Sequence, residues 1–323
     1  ILSGAVPVWM KPSRLPGEAI DGPVLPEEIE KALAENPECR AVFLTSPTYY
    51  GICSRIREIS AVCHRRGIPL LVDEAHGSHL AFSEQIYDSL SGGADLVVQS
   101  LHKTGGSMTQ SSQLHRQGGL VDRKRLRDAV RFVSSTSPSY VLMSSLDAAR
   151  HQLALYGRER VAEAAALADG CRRQLSEIDG IDLVDPECMD PLRVVFSAVR
   201  CGLSGTEFRR LLFQEGKISL EMADARYVVA VFSWGNTEED VNRLTKTVRS
   251  VLHTYSIKVP ASEGIFAETF ISENVYPKNT ISEKPSAAEA KSEEIISDGE
   301  LRSSCPAYVC SPREAWYSES ESV

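Results

Sequence analysis

Lys103 lies in the run Gln99-Ser100-Leu101-His102-Lys103-Thr104, and Asp73 lies thirty residues upstream, at the end of Pro69-Leu70-Leu71-Val72-Asp73. A second apolar run, Ala94-Asp95-Leu96-Val97-Val98-Gln99, separates them. An amine and a carboxylate, each following an apolar strand, carry complementary chemistry. A lysine amine attacks an aldehyde and forms a Schiff base. A carboxylate keeps a proton on a pyridine nitrogen, which turns the ring into an electron sink. Together the two groups suit a pyridoxal 5′-phosphate (PLP) enzyme. Ser100, His102, Thr104, Gly105 and Gly106 are small or polar, as a phosphate pocket of hydroxyls and backbone N–H groups requires.

Each residue alone has a plainer reading. Aspartate is a good helix N-cap, and a single lysine is usually a solvated charge. Ligands of open α/β sheets do bind at the carboxyl ends of strands, and the pair is far more specific than either member. Asp73-Glu74-Ala75-His76 also spells a helicase box. That reading needs an upstream G-x-x-x-x-G-K-[ST] loop, and residues 1–72 contain none.

The chain has 323 residues and a net charge of -9, unevenly placed. Residues 259–323 hold 12 Asp/Glu against 5 Lys/Arg, so the remainder is nearly neutral and offers nucleic acid no electrostatic footing. No apolar run approaches the roughly 20 residues of a membrane span, and no signal peptide is visible. The start at Ile1 reads as a truncation, and the expected compartment is the cytoplasm, or an organelle such as the plastid if a transit peptide was lost. The eight cysteines form no C-x-x-C pair and read as reduced thiols; Cys305 and Cys310, in a polar tail, receive no role.

The elements that must position Asp73 and Lys103 follow from periodicity. Residues 1–140 alternate strand and helix signals, with strands at 41–44, 68–72 and 94–99, a helix from Pro26, and another through Ile52, Ile56, Ile59, Val62 and Cys63 ended by Gly67. Near-continuous apolar strands predict a mostly parallel sheet with helices on both faces, an α/β large domain. Residues 141–178 read as a long helix or helix pair carrying Leu142, Leu146, Leu153, Leu155 and Val161, with Gly157 as a break. Strands at 192–196 and 227–232, with helices capped at Ser204 and Thr237, complete a smaller α+β domain over 141–257. Residues 258–304 read as a disordered acidic linker, and 305–323 as the start of a further domain.

Three runs carry a family resemblance: Val72 to His79, Gly93 to Thr104, and Thr109 to His115. With Ser46-Pro47-Thr48-Tyr49-Tyr50-Gly51 and Thr136 to Tyr140, they make residues 1–255 resemble the major domain of the Orn/Lys/Arg decarboxylase family, truncated at both ends. The resemblance implies a fold-type-I PLP enzyme working as a homodimer or larger homo-oligomer. By position it implies Lys103 as the Schiff-base lysine, Asp73 at the pyridine nitrogen, Ala75 against the ring, and Ser100 and His102 at the phosphate. His76 would sit near the cofactor's ring oxygen or the substrate carboxylate. Alternatively, His76 only orients Asp73, and Ser100 and His102 only pack their turn. The loop Thr136 to Tyr140 either reaches the partner's site or is simply a turn before a helix. The family's phosphate loop and ring-stacking histidine would precede Ile1, and its usual small hydroxyl residue is replaced by Leu101.

The implied reaction is decarboxylation of arginine, lysine or ornithine to its amine and carbon dioxide, with Lys103 or His76 returning the proton to Cα. Glu74 and Glu84 are the acidic candidates for the substrate's distal cation. Two alternatives stay open: transamination, with Arg193 or Arg226 clamping the substrate carboxylate, and a non-catalytic truncated subunit.

Overall fold

The computed structural model describes residues 4–258, with side chains to Tyr255. Residues from Met10 onward belong to one compact unit; residues 4–9 belong to another and carry neither helix nor strand. The expected linker, apart from Lys258, and the segment 305–323 with Cys305 and Cys310 lie outside the described residues.

Two four-stranded sheets organise the unit. The first contains β1 (Val42–Thr45), β2 (Leu70–Asp73), β3 (Leu96–Gln99) and β4 (Gln113–Arg116), in that order. β1, β2 and β3 are parallel, and β4 closes the edge antiparallel, with Gln99 opposite Gln113. The result is a mixed, mostly parallel α/β sheet. Along β1 to β3 alternate residues are buried, so Val42, Leu44, Leu70, Val72 and Val97 form one packed face. That face meets α1 (Pro26–Glu35) and α2 (Ile56–Arg65) through Ile29, Leu33, Ile56, Ile59 and Val62. Each such side chain contributes about 1.5–3 kcal/mol by leaving water. Phe43, on the other face, is 62% exposed. α2 starts at Ile56 rather than Ile52, because Ile52 is fully buried in a bridge to Met189. A short helix α3 (Leu101–Thr104) follows β3, and α4 (Arg123–Val133), capped by Asp122, follows β4.

One helix, α5 (Tyr140–Ser176), runs 37 residues without a break. Gly157 is not an interruption but a point of close approach. A Cβ there would come within 2.6 Å of the Phe82 ring. Leu155 is 58% exposed, whereas Leu153, Gly157, Val161, Ala164, Ala168, Cys171 and Leu175 form the buried stripe at helical spacing. The second sheet, antiparallel throughout, has the order β5 (Asp182–Val184), β6 (Arg193–Ser197), β8 (Tyr227–Val231), β7 (Met222–Ala223). It is packed by α5, α6 (Gly205–Gly216) and α7 (Glu238–Lys258). Both expected caps form: Ser204 Oγ accepts from Glu207 N, and Thr237 and Asp240 bond reciprocally.

Candidate active site

The parallel pairing of β2 with β3 sets Asp73 opposite Val98, so the chain leaves both strands at the same sheet edge. Asp73 turns the chain there: its Oδ1 accepts from Ala75 N at 3.0 Å, its one side-chain hydrogen bond among the described residues. Beyond β3, Ser100 starts α3 without a side-chain cap, and Lys103 follows within the helix's single turn. A bond between Ser78 and Thr104, at 2.8 Å, ties the two turns together.

Lys103 Nζ lies 3.2 Å from His76 Nε2, and His76 Nδ1 lies 2.8 Å from Arg193 Nη2. The Tyr49 ring meets the His76 ring edge-on, 4.9 Å between centroids, and its hydroxyl donates to Glu221 Oε1 at 2.6 Å. These five residues and Thr104 line a cavity of about 260 Å³. Burial first, then the Arg193 and Lys103 charges, bring His76 down to about 4. The Glu221 bond pushes the Tyr49 hydroxyl up.

Arg193 opens β6 and is 1% exposed. A charge in a strand whose five residues are all buried needs compensation. Asp190 supplies it, Oδ2 standing 3.5 Å from Arg193 Nε, while Asp190 Oδ1 accepts from His79 Nε2 and from Leu192 N. His79 lies on the His76 turn, so this cluster joins the two sheets. Arg193 Nε and Nη1 have no hydrogen-bond partner among the described residues. The Arg193 stem passes over Gly51, whose φ is +94°.

The sequence-based candidates therefore separate. Lys103 and His76 touch within one cavity; Asp73 and Ala75 share the turn beside it; Ser100 and His102 do not line it. His102 Nδ1 instead donates to Ser111 O at 2.7 Å, pinning the loop after α3. Glu74 does not face the cavity. It is 1% exposed, accepts from Ser89 and Gln99, and is lifted by burial to about 7. Glu84 is exposed on a loop. Of the two arginines, Arg193 lines the cavity, whereas Arg226 lies over the Tyr227 ring. Ser139 caps α5, and Tyr140 is 78% exposed. Glu221 escaped the sequence reading. It carries no motif, and its place depends on β7 pairing beside β8. Asp190-Pro191-Leu192-Arg193 did hold a signal, two charges opening an apolar strand.

Comparison with known proteins adds a lineage. The family model described as Orn/Lys/Arg decarboxylase, major domain, matches residues 1–202. An arginine decarboxylase of Halalkalibacterium halodurans is 36% identical over 268 residues, covering 80% of this chain and 55% of that protein. An arginine decarboxylase of Bacillus subtilis is 32% identical over 265 residues, covering 79% and 54%. The chain thus spans about half the length of the curated relatives it matches. Among solved structures, a Francisella novicida lysine decarboxylase shares the fold with a TM-score of 0.67 at 20% identity, covering 78% of this chain and 42% of that one.

Proposed function

Since the chain belongs to the Orn/Lys/Arg decarboxylase family through its major domain, we propose that the protein decarboxylates a basic amino acid, arginine, lysine or ornithine, using pyridoxal 5′-phosphate. The observation that carries this reading is the chain of contacts from Lys103 to His76 and from His76 to Arg193 in one cavity at the carboxyl edge of the parallel strands. The residues fit the cofactor. An exposed lysine amine opens into the cavity; among the described residues, the carboxylate that ends the neighbouring strand has one oxygen unbonded and the buried cation has donors to spare.

In this reading Lys103 supplies the amine that joins the cofactor's aldehyde. Asp73 holds a proton at the pyridine nitrogen. Ala75, with only a methyl group, leaves room for the ring, and Ser100 and His102 serve the phosphate. The bound cofactor supplies an electron sink for the pair left when the bond from Cα to the carboxylate breaks. Asp73 acts where that charge develops, so its interaction strengthens toward the transition state and raises the rate rather than only the affinity. Arg193 offers the substrate's anionic end a desolvated partner, and Glu221 is the acidic group on the cavity wall for the distal cation.

The reading includes self-association and a cytoplasmic location. Val133, Tyr140, Val141 and Met143 are each 49% exposed or more, and α4 has no buried residue. Such a surface suits a second copy of the chain. The six described cysteines are free thiols, and no described helix is long and apolar enough to cross a membrane.

Borohydride reduction of the purified protein mixed with the cofactor, followed by peptide mapping, tests the site. The pyridoxyl label is expected on Lys103. Lys103→Ala should lose it and lower carbon dioxide release from the three substrates by on the order of 10³-fold or more, the scale of removing a covalent nucleophile. A label on another lysine, or release unchanged in the variant, would refute the assignment.

A further inference from the structure

A guanidinium has five N–H donors, no acceptor, and stays charged at any pH a protein survives. Arg193 Nη2 lies 2.8 Å from His76 Nδ1, so that nitrogen must present a lone pair. Across the ring, Lys103 Nζ lies 3.2 Å from Nε2. Turning the imidazole over would set carbon atoms against both neighbours, so the two contacts together decide its orientation. A neutral imidazole accepting at Nδ1 carries its hydrogen at Nε2. We propose that Arg193 is a positioning residue that locks His76 in the Nε2–H tautomer, so that His76 offers the cavity a hydrogen-bond donor and not a base.

Arg193 is held firmly enough for this role. Its backbone N donates to Asp190 O at 3.0 Å, its Nε faces Asp190 Oδ2, and Asp190 is itself fixed by His79 and the Leu192 amide. Arg193 is 1% exposed, so water does not compete for the His76 contact. Burial and the Arg193 charge keep the imidazole neutral. The shorter contact, from the buried Arg193, carries the tautomer, whereas its consequence rests on the PLP reading. A donor at Nε2 suits a Lys103 amine with a lone pair, the form that attacks an aldehyde. An ammonium, which has only donors, would be mismatched. The same donor would serve a cofactor ring oxygen or a substrate carboxylate, but it cannot remove a proton.

The test is a long-range ¹H–¹⁵N correlation spectrum of the full chain labelled with ¹⁵N-histidine, near neutral pH and without cofactor. His76→Gln identifies the resonances. The expected pattern is one tautomer, Nε2 protonated and Nδ1 bearing a lone pair. In Arg193→Gln, whose amide both donates and accepts, the hydrogen should spread over both nitrogens. A wild-type hydrogen on Nδ1, averaging between tautomers, or a wild-type pattern in Arg193→Gln would overturn the proposal. If the variant does not fold, the wild-type spectrum decides. Because no cofactor is present, failure here is distinct from failure of the decarboxylase reading.

Discussion

Replacing Gly51 with alanine would test how tightly the site is built. Gly51 has φ +94°, and a Cβ there would stand 2.5 Å from Arg193 Cγ and 2.8 Å from Arg193 Cβ. Two costs add. An L-residue forced into a left-handed conformation loses about 1–2 kcal/mol. Overpacking against a buried neighbour costs about 1–3 kcal/mol more, since the stem of an arginine that is 1% exposed cannot swing into solvent. The sum, about 2–5 kcal/mol, is a large share of the roughly 5–15 kcal/mol that keeps a domain folded. Gly67 provides the control. Its φ is +66°, and nothing lies within 4 Å of its added Cβ, so Gly67→Ala should carry the backbone cost alone. Urea unfolding of both variants at one pH gives the difference, expected at about 1–3 kcal/mol. Equal costs within about 0.5 kcal/mol would show that Arg193 yields freely, and the argument for a fixed guanidinium over His76 would fail with it.

Two further outcomes are expected. Asp73→Asn keeps the oxygen that accepts from Ala75 N but loses the charge. Decarboxylation should fall by roughly 10²–10³-fold, the scale of losing one preorganised electrostatic partner, while the urea-derived stability changes by less than about 1 kcal/mol; intact turnover would remove Asp73 from the site. Glu74 is lifted from 4.5 to about 7, so between those values only the folded state keeps the proton and stability falls as pH rises. The loss should approach about 3 kcal/mol at pH 7 and grow no further above it. His76, lowered from 6.5 to about 4, acts oppositely, adding stability as pH rises through that window. The quantity to measure is therefore the stability of Glu74→Gln minus that of wild type at several pH values. A difference that does not increase between pH 4.5 and 7 would contradict the burial argument.

The local parts of this protein were legible in its sequence. Apolar runs marked β1, β2 and β3, and the residues after them placed Asp73 and Lys103 at strand ends. Ser204 and Thr237 marked helix starts, since a cap is a bond between near neighbours. The tertiary structure decided what depends on distant residues. Leu155 and Leu153 are alike in type, yet only the packing of α5 shows which one faces inward. Gly157 looked like a break because a helix gains nothing from glycine by itself; the reason for it is Phe82, far away in sequence. β4 is polar, and only its pairing with β3 makes it a strand. Most of all, His76 and Arg193 are 117 residues apart and meet because the two sheets share one cluster around Asp190. Periodicity and caps report interactions over a few residues. A desolvated cation against an imidazole comes from chain segments that only the folded core brings together, and the site's electrostatics were set there.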